Sequence, residues 1–146
     1  MENDSIYLDY NATTSVDPGV LKKMEPYFSK DFGNPASSDH IFGKIAKQAI
    51  NRARSLLSNG IGCSPDEIYF NSGATESLNT AIKGIVSAVK EKSKHIITVK
   101  TEHKAVLDAC EFVEKMGVTV SYLGVDKEGY INIDDLKKHI RDDTIL

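Results

Sequence analysis

Short apolar segments alternate with longer amphipathic segments through much of this chain, and this alternation limits its possible folds more than any other feature. Buried strands are predicted where β-branched and aromatic residues cluster, at residues 67–70, 94–99, 118–122 and 144–146. Because segments of helical length separate them, we predict an α/β fold with a mostly parallel sheet and flanking helices. The sheet is expected to be incomplete, since residues 144–146 form only the start of a strand.

Two helices are expected ahead of the first strand. Asp17 followed by Pro18 is typical of a helix N-terminus, and a longer helix is predicted from about residue 39 to 58. Glycines in 59–62 favour a left-handed cap at its end. The predicted buried faces comprise Val20, Leu21, Met24 and Phe28 in the first helix, and Ile41, Phe42, Ile45, Ala49, Ala53, Leu56 and Leu57 in the second.

Further helices are expected between the strands. Their predicted buried faces comprise Leu78, Ala81, Ile82, Ile85, Val86 and Val89, and then Ala105, Val106, Ala109, Phe112, Val113 and Met116. Gly117 is expected to end the second of these helices. After a turn at 126–129, a short helix is predicted from Asp134 to about His139.

Composition excludes several function classes. A chain of 146 residues with 40% hydrophobic content is long enough for an ordinary core, and a net charge of −3 argues against nucleic-acid binding. No long apolar stretch or signal-peptide segment is visible, so we expect no membrane span and a cytoplasmic or organelle-matrix protein. Cys63 and Cys110 form neither a disulfide framework nor a metal cluster, and we interpret both as packing residues. No metal site is predicted.

A candidate anion site lies between the first predicted strand and the following helix. The sequence Ser72-Gly73-Ala74-Thr75 places small residues where that helix begins. Unpaired backbone N–H groups and the positive end of the helix dipole favour anions there, and the hydroxyls of Ser72 and Thr75 can donate to an oxyanion. This pattern predicts a phosphate site, although an ordinary helix cap is an alternative interpretation.

A second candidate group lies at the end of the next strand. Glu102 and His103 follow the strand predicted at 94–99. Because ligands of parallel α/β sheets bind beyond the carboxyl ends of the strands, we expect the phosphate site and the imidazole to share one edge of the sheet.

Four sequence motifs resemble those of the cysteine desulfurases in the class V aminotransferase group. They occupy residues 7–14, 33–40, 72–77 and 101–108, in the order found in the family, and the similarity extends from Ile6 to Leu146. The resemblance implies part of the large domain of a fold type I pyridoxal-phosphate enzyme over residues 16–146, preceded by an N-terminal segment at 1–15. The implied cofactor is pyridoxal 5'-phosphate, and the implied substrate is L-cysteine.

The resemblance also implies roles for individual residues. Ala74 and Thr75 match residues that hold the cofactor's phosphate. His103 matches the catalytic histidine that stacks on the pyridine ring and transfers protons, a task that suits an imidazole. Asn11, Ala12 and Thr13 match a segment near the substrate pocket. Glu76 and Asn34 are interpreted as supports for their own loops.

Three parts of the family's catalytic machinery have no match here, and one of them is the aspartate that pairs with the pyridine nitrogen. The Schiff-base lysine lies in a Ser-x-His-Lys motif that is absent from this sequence, and the mobile-loop cysteine has no counterpart in Cys63 or Cys110. Lys104, although adjacent to His103, is expected to face away from the site. We therefore expect an N-terminal fragment without desulfurase activity of its own and with weak cofactor affinity at best.

Alternative functions remain open at this point. Another class V enzyme, such as a selenocysteine lyase or an aminotransferase, and a non-catalytic remnant that binds a partner chain are both compatible with the motifs. For the complete enzyme, the resemblance implies a homodimer and an iron–sulfur scaffold or another sulfur acceptor.

Overall fold

The computed structural model describes residues 5–146, which divide into two compact units. The boundary lies between Tyr69 and Phe70. The division into segments 1–15 and 16–146 stays a prediction.

Helices are the regular elements of the first unit. They are α1 (Pro18–Met24), α2 (Pro26–Ser29), α3 (Ile41–Ile61) and a short 3₁₀ helix at Pro65–Glu67. The Asp17 carboxylate accepts hydrogen bonds from the N–H groups of Gly19 and Val20 at 2.7 and 3.1 Å, as the sequence predicted. Gly62, with a φ of 74°, provides the expected left-handed cap of α3.

The predicted buried faces of these helices are wrong except at Ala49, which is half-buried. Ala53 is exposed, as are Val20, Leu21, Met24, Phe28, Ile41, Phe42, Ile45, Leu56 and Leu57. α3 instead buries Gly43, Ala46 and Ser58. An apolar face is buried only where another element covers it, and within this unit the main packing is of α1 on α2 and of α3 on the 3₁₀ helix.

A close backbone contact fixes the start of α3. The Asn34 side chain accepts a hydrogen bond from the Ala36 N–H at 2.9 Å, which confirms Asn34 as a support for its loop. The loop then passes so close to Gly43 that a Cβ atom there would overlap the carbonyl group of Ser37. Only glycine permits this approach.

The second unit contains a small parallel sheet. Strands β1 (His95–Val99) and β2 (Thr119–Leu123) pair in parallel, with His95 opposite Thr119 and Val99 opposite Leu123. On the other side of β1, Thr144 pairs in parallel with His95. The Ile145 N–H then donates to the His95 carbonyl at 2.9 Å. The predicted strands at 94–99, 118–122 and 144–146 are therefore confirmed in position and direction.

Helices cover both faces of this sheet. α4 (Ala74–Ala88) and α5 (Lys104–Glu114) form the core with one face, and its buried members are Ile82, Val86, Ile96, Ala109, Cys110, Val113 and Val118. The last helix, α6 (Ile133–His139), is capped by Asn132 and packs near β2. Of the predicted inward positions, Ala81, Phe112 and Met116 are exposed instead.

The strand predicted at 67–70 is absent from the part of the chain that the structure describes. Glu67 belongs to the 3₁₀ helix, and Tyr69 is 82% exposed. Ile68 has extended backbone angles, with φ −93° and ψ 121°. A strand also needs a neighbour to hydrogen-bond with its backbone, and no described strand lies beside this segment.

We predict that Gly43→Ala destabilises the first unit by about 1–3 kcal/mol, because the new methyl group meets a backbone carbonyl that cannot rotate away. Gly60→Ala is the matched control in the same helix, since nothing lies within 4 Å of a Cβ atom there. The control should stabilise by about 0.5–1 kcal/mol. Urea unfolding followed by circular dichroism measures both changes, and equal effects would contradict the assigned contact.

Candidate active site

The direction of α4 is fixed by a contact at its far end. Lys94, just ahead of β1, donates from Nζ to the carbonyl of Val86, in the last turn of α4, at 2.6 Å. The C-terminal end of α4 therefore lies at the amino end of β1. α5 begins after the carboxyl end of β1 and leads back to the start of β2, which is parallel to β1. Both helices thus run antiparallel to the strands.

A contact between the two helices shows that they lie at matching heights. The Lys83 ammonium lies 4.0 Å from the centroid of the Phe112 ring. Lys83 follows the first residue of α4 by nine positions, and Phe112 follows the first residue of α5 by eight. At a rise of about 1.5 Å per residue, both N-termini lie at nearly the same level. The residues predicted to hold phosphate and His103 therefore belong to the same edge of the sheet.

The first turn of α4 is open to an anion. Gly73 precedes this turn with a φ of 148°, a backbone conformation that residues other than glycine rarely adopt. Within the described chain, no side chain caps this helix end, and the Thr75 hydroxyl has no hydrogen-bond partner. Both Ala74 and Thr75 are exposed. The N–H groups of the first turn and one hydroxyl are thus free to bind an oxyanion.

A polar network holds the loop ahead of α4 in place. The Asn71 side chain accepts from the Gly73 N–H at 3.0 Å and donates to the Ser77 hydroxyl at 2.7 Å. The Glu76 carboxylate accepts from the Ser72 N–H and hydroxyl at 2.8 and 2.6 Å. Glu76 is therefore confirmed as a loop support. The Ser72 hydroxyl, which the sequence offered to an anion, donates to Glu76 instead.

His103 is the N-cap residue of α5. Its Nδ1 atom accepts a hydrogen bond from the Ala105 N–H at 3.1 Å, and its ring is exposed. Because Nδ1 is an acceptor, the neutral ring carries its proton on Nε2. This cap occupies one ring nitrogen and leaves the other accessible.

Lys104 faces away from this edge, as predicted. Its ammonium contacts both carboxylate oxygens of Asp108, one turn further along α5, at 2.6 and 2.7 Å. The side chain is 80% exposed.

The predicted substrate segment lies in the first unit and forms a turn closed by its own contacts. Ala12 and Thr13 donate from their N–H groups to the Asp9 carbonyl at 3.0 and 3.3 Å. The Tyr7 and Thr13 hydroxyls lie 2.5 Å apart. Asn11 belongs to the same turn. The assignment of Asn11, Ala12 and Thr13 to a substrate pocket stays a prediction.

The other three histidines and Cys110 make contacts of different kinds. His40 caps α3 by accepting from the Gly43 N–H, and His139 contacts the Asp135 carbonyl. His95 is fully buried. Cys110 is a core residue, and burial, followed by the charges of Glu114 and Glu102, raises the pKa of its thiol. A raised pKa disfavours the reactive thiolate, which agrees with a packing role.

The Aminotransferase class-V family model matches residues 6–146, and the chain belongs to this family. The resemblance drawn from the four motifs is thereby confirmed.

The similar proteins are cysteine desulfurases. Cysteine desulfurase IscS of Neisseria gonorrhoeae is 55% identical over 141 residues, which are 97% of this chain and 35% of that protein. Cysteine desulfurase IscS of Dictyoglomus turgidum is 51% identical over 141 residues, with 97% and 36% covered. The chain thus spans about a third of the length of these relatives and corresponds to an N-terminal portion.

Solved structures give the same result. A NifS-like protein superposes with a TM-score of 0.90 at 37% identity, covering 95% of this chain and 38% of its own. A structure of SspA in complex with cysteine has a TM-score of 0.89 at 41% identity, with 96% and 40% covered.

Across residues 5–146, none of the helices has the length and apolar character needed to cross a bilayer.

We predict that Gly73→Ala lowers the free energy of unfolding by about 1–3 kcal/mol, because alanine is strained at this positive φ. Gly84→Ala, inside α4 where a Cβ atom meets nothing within 4 Å, is the matched control. It should stabilise by about 0.5–1 kcal/mol. Chemical unfolding distinguishes the two, and a neutral Gly73→Ala would refute the backbone assignment.

A second prediction concerns pH. The hydrogen bonds from Ser72 lower the pKa of Glu76 below its ordinary 4.5. The loop contact is therefore complete above that value and is lost as the pH falls through the lowered pKa. The amide resonance of Ser72 should titrate below pH 4.5. In Glu76→Gln this titration should vanish; a Ser72 titration that survives the substitution would show that another group holds the loop.

Proposed function

We propose that this chain provides part of the pyridoxal-phosphate site of a cysteine desulfurase, an enzyme that removes sulfur from L-cysteine and leaves L-alanine. The observation that supports this most strongly is the common edge shared by the uncapped N-terminus of α4 and the imidazole at the N-terminus of α5. An anion-binding helix end beside an exposed imidazole suits a phosphorylated, proton-exchanging cofactor. The high identity to two IscS proteins supports the same assignment.

The phosphate is assigned to Ala74 and Thr75. Their backbone N–H groups and the Thr75 hydroxyl supply donors, and the dipole of α4, a helix of 15 residues, adds favourable electrostatics. Gly73 lets the backbone turn so that this first turn stays open. The Glu76 carboxylate accepts the hydrogen bond of the Ser72 hydroxyl and so holds the loop. The Ser72 hydroxyl is therefore not assigned to the anion, which is bound by the backbone amides and Thr75.

The residues present fit pyridoxal phosphate, which when bound supplies an electron sink that stabilises negative charge on an amino-acid substrate. His103 is assigned to the cofactor's ring. The hydrogen bond from Ala105 fixes the imidazole through Nδ1, so Nε2 is the atom that holds and releases a proton. The capping bond also reduces rotation of the ring, which favours a defined direction of proton transfer.

Further groups of the complete enzyme are needed for turnover. The lysine that binds the cofactor and the cysteine that accepts sulfur belong to motifs that this sequence does not contain. We propose that both residues come from another part of the enzyme. We also propose that the complete enzyme forms a homodimer and transfers sulfur to an iron–sulfur scaffold or another acceptor. Residues Asn11, Ala12 and Thr13 are proposed to lie near the substrate in that assembly.

Phosphate recognition can be measured apart from catalysis. Pyridoxine 5'-phosphate and pyridoxine differ only in the phosphate, and neither has an aldehyde that reacts with lysines. We predict that the full chain binds the phosphorylated form at least about tenfold more tightly in calorimetry, because charge-assisted hydrogen bonds are involved.

The variant pair for this test lies on one helix. Thr75→Val removes a proposed donor and should reduce the advantage of the phosphorylated form severalfold. Thr80→Val makes the same chemical change at an exposed position further along α4 and should leave that advantage intact. Equal binding of the two ligands, or equal effects of the two variants, would overturn the phosphate assignment.

A further inference from the structure

A buried histidine connects the three parallel segments of the sheet. His95, the first residue of β1, is 0% exposed. Its Nδ1 lies 2.8 Å from the Thr144 hydroxyl, and its Nε2 lies 2.8 Å from the Ser121 hydroxyl on β2. The ring therefore bridges the strand on one side and the 143–146 segment on the other.

The neutral ring satisfies every polar group around it. A neutral imidazole has one donor and one acceptor, and each hydroxyl can fill either role. Thr144 Oγ1 also accepts from the Arg141 N–H at 2.8 Å, so this oxygen links the ring to the backbone that leads into the segment. A protonated ring would have two donors and a charge that no carboxylate of residues 5–146 contacts, and such a buried charge is costly.

The charged groups nearby do not offset that cost. Those that act on the ring come from α6 and the chain after it: Arg141, Asp143 and His139. Asp143 would favour a charged ring, but its carboxylate already receives two hydrogen bonds from Arg141, at 2.9 and 3.1 Å. Burial is the largest cause that lowers the pKa of His95 below its ordinary 6.5, followed by the charge of Arg141.

We propose that His95 acts as an acid-sensitive switch within the sheet: the neutral ring holds the 143–146 segment beside β1, and protonation releases that segment. Release of the segment breaks three backbone hydrogen bonds. They run from the His95 N–H to the Asp143 carbonyl, from the Ile145 N–H to the His95 carbonyl and from the Ile97 N–H to the Leu146 carbonyl. The pairing of β1 with β2 runs over five residue pairs, from His95–Thr119 to Val99–Leu123, and uses none of these three bonds.

The direction of the pH effect follows from the lowered pKa. A histidine whose pKa is lower in the closed state binds fewer protons there than in the released state. The closed state is therefore fully favoured above the ordinary value of 6.5 and loses stability as the pH falls below it. One pH unit below that value corresponds to a change of up to about tenfold in the opening equilibrium.

Hydrogen exchange of the full chain, read by mass spectrometry and corrected for intrinsic rates, tests this switch. Between about pH 7.5 and about pH 5.5, protection of Ile145 and Ile97 should fall by up to about tenfold. Protection of Thr119, which donates to the Lys94 carbonyl between β1 and β2, should change little. Equal protection of Ile145 at both pH values would overturn the proposal.

Variants separate His95 from other titrating groups. His95→Gln keeps a donor and an acceptor without a titrating ring, and it should abolish the pH dependence. His139→Gln, on nearby α6, should keep it. Should His95→Gln fail to fold, Thr144→Val decides the question, because it removes one bond and leaves the ring: it should lower protection of Ile145 at both pH values. Wild-type protection in Thr144→Val, or an unchanged pH response in His95→Gln, would refute the switch.

Discussion

The packing of α4 and α5 side by side on one face of a parallel strand pair is the constraint from which the candidate site follows. Burial of Ile82 and Val86 against Val113 and Ile96 fixes the two helices on the same face. Since each helix runs antiparallel to its strand, their N-termini must open at one edge. Neither helix end has to move for an anion and an imidazole to lie near each other, so the geometry of the site is a consequence of the core.

Local sequence signals predicted much of this second unit because core and pattern agree there. Strands β1 and β2 are rich in β-branched residues, and helices α4 and α5 bury apolar residues at helical spacing. In the first unit the same reasoning predicted where the helices lie in the sequence, but not which of their faces other elements cover. Periodicity identifies an apolar face, yet only a covering element makes that face buried, and the described residues of that unit do not cover the predicted face of α3.

The candidate site was predictable in its residues and less so in its details. A helix N-terminus at Ala74 and a histidine after β1 follow from residue type and position alone. The diversion of the Ser72 hydroxyl to Glu76, and the use of Nδ1 of His103 as a cap, depend on rotamers that sequence patterns do not specify. The hydrogen bonds from the buried His95 ring to Ser121 and Thr144 could not be predicted from local patterns either, because these residues lie 26 and 49 positions further along the chain.

The proposed function requires that one cofactor-sized molecule contacts the N-termini of both α4 and α5. Intermolecular nuclear Overhauser effects and phosphorus–proton correlations from bound pyridoxine 5'-phosphate measure this directly. We expect phosphorus contacts at the amides of Ala74 and Thr75 together with ring-proton contacts at His103, in one complex. Phosphorus contacts at Ala74 and Thr75 with ring contacts at residues far from His103 would contradict it.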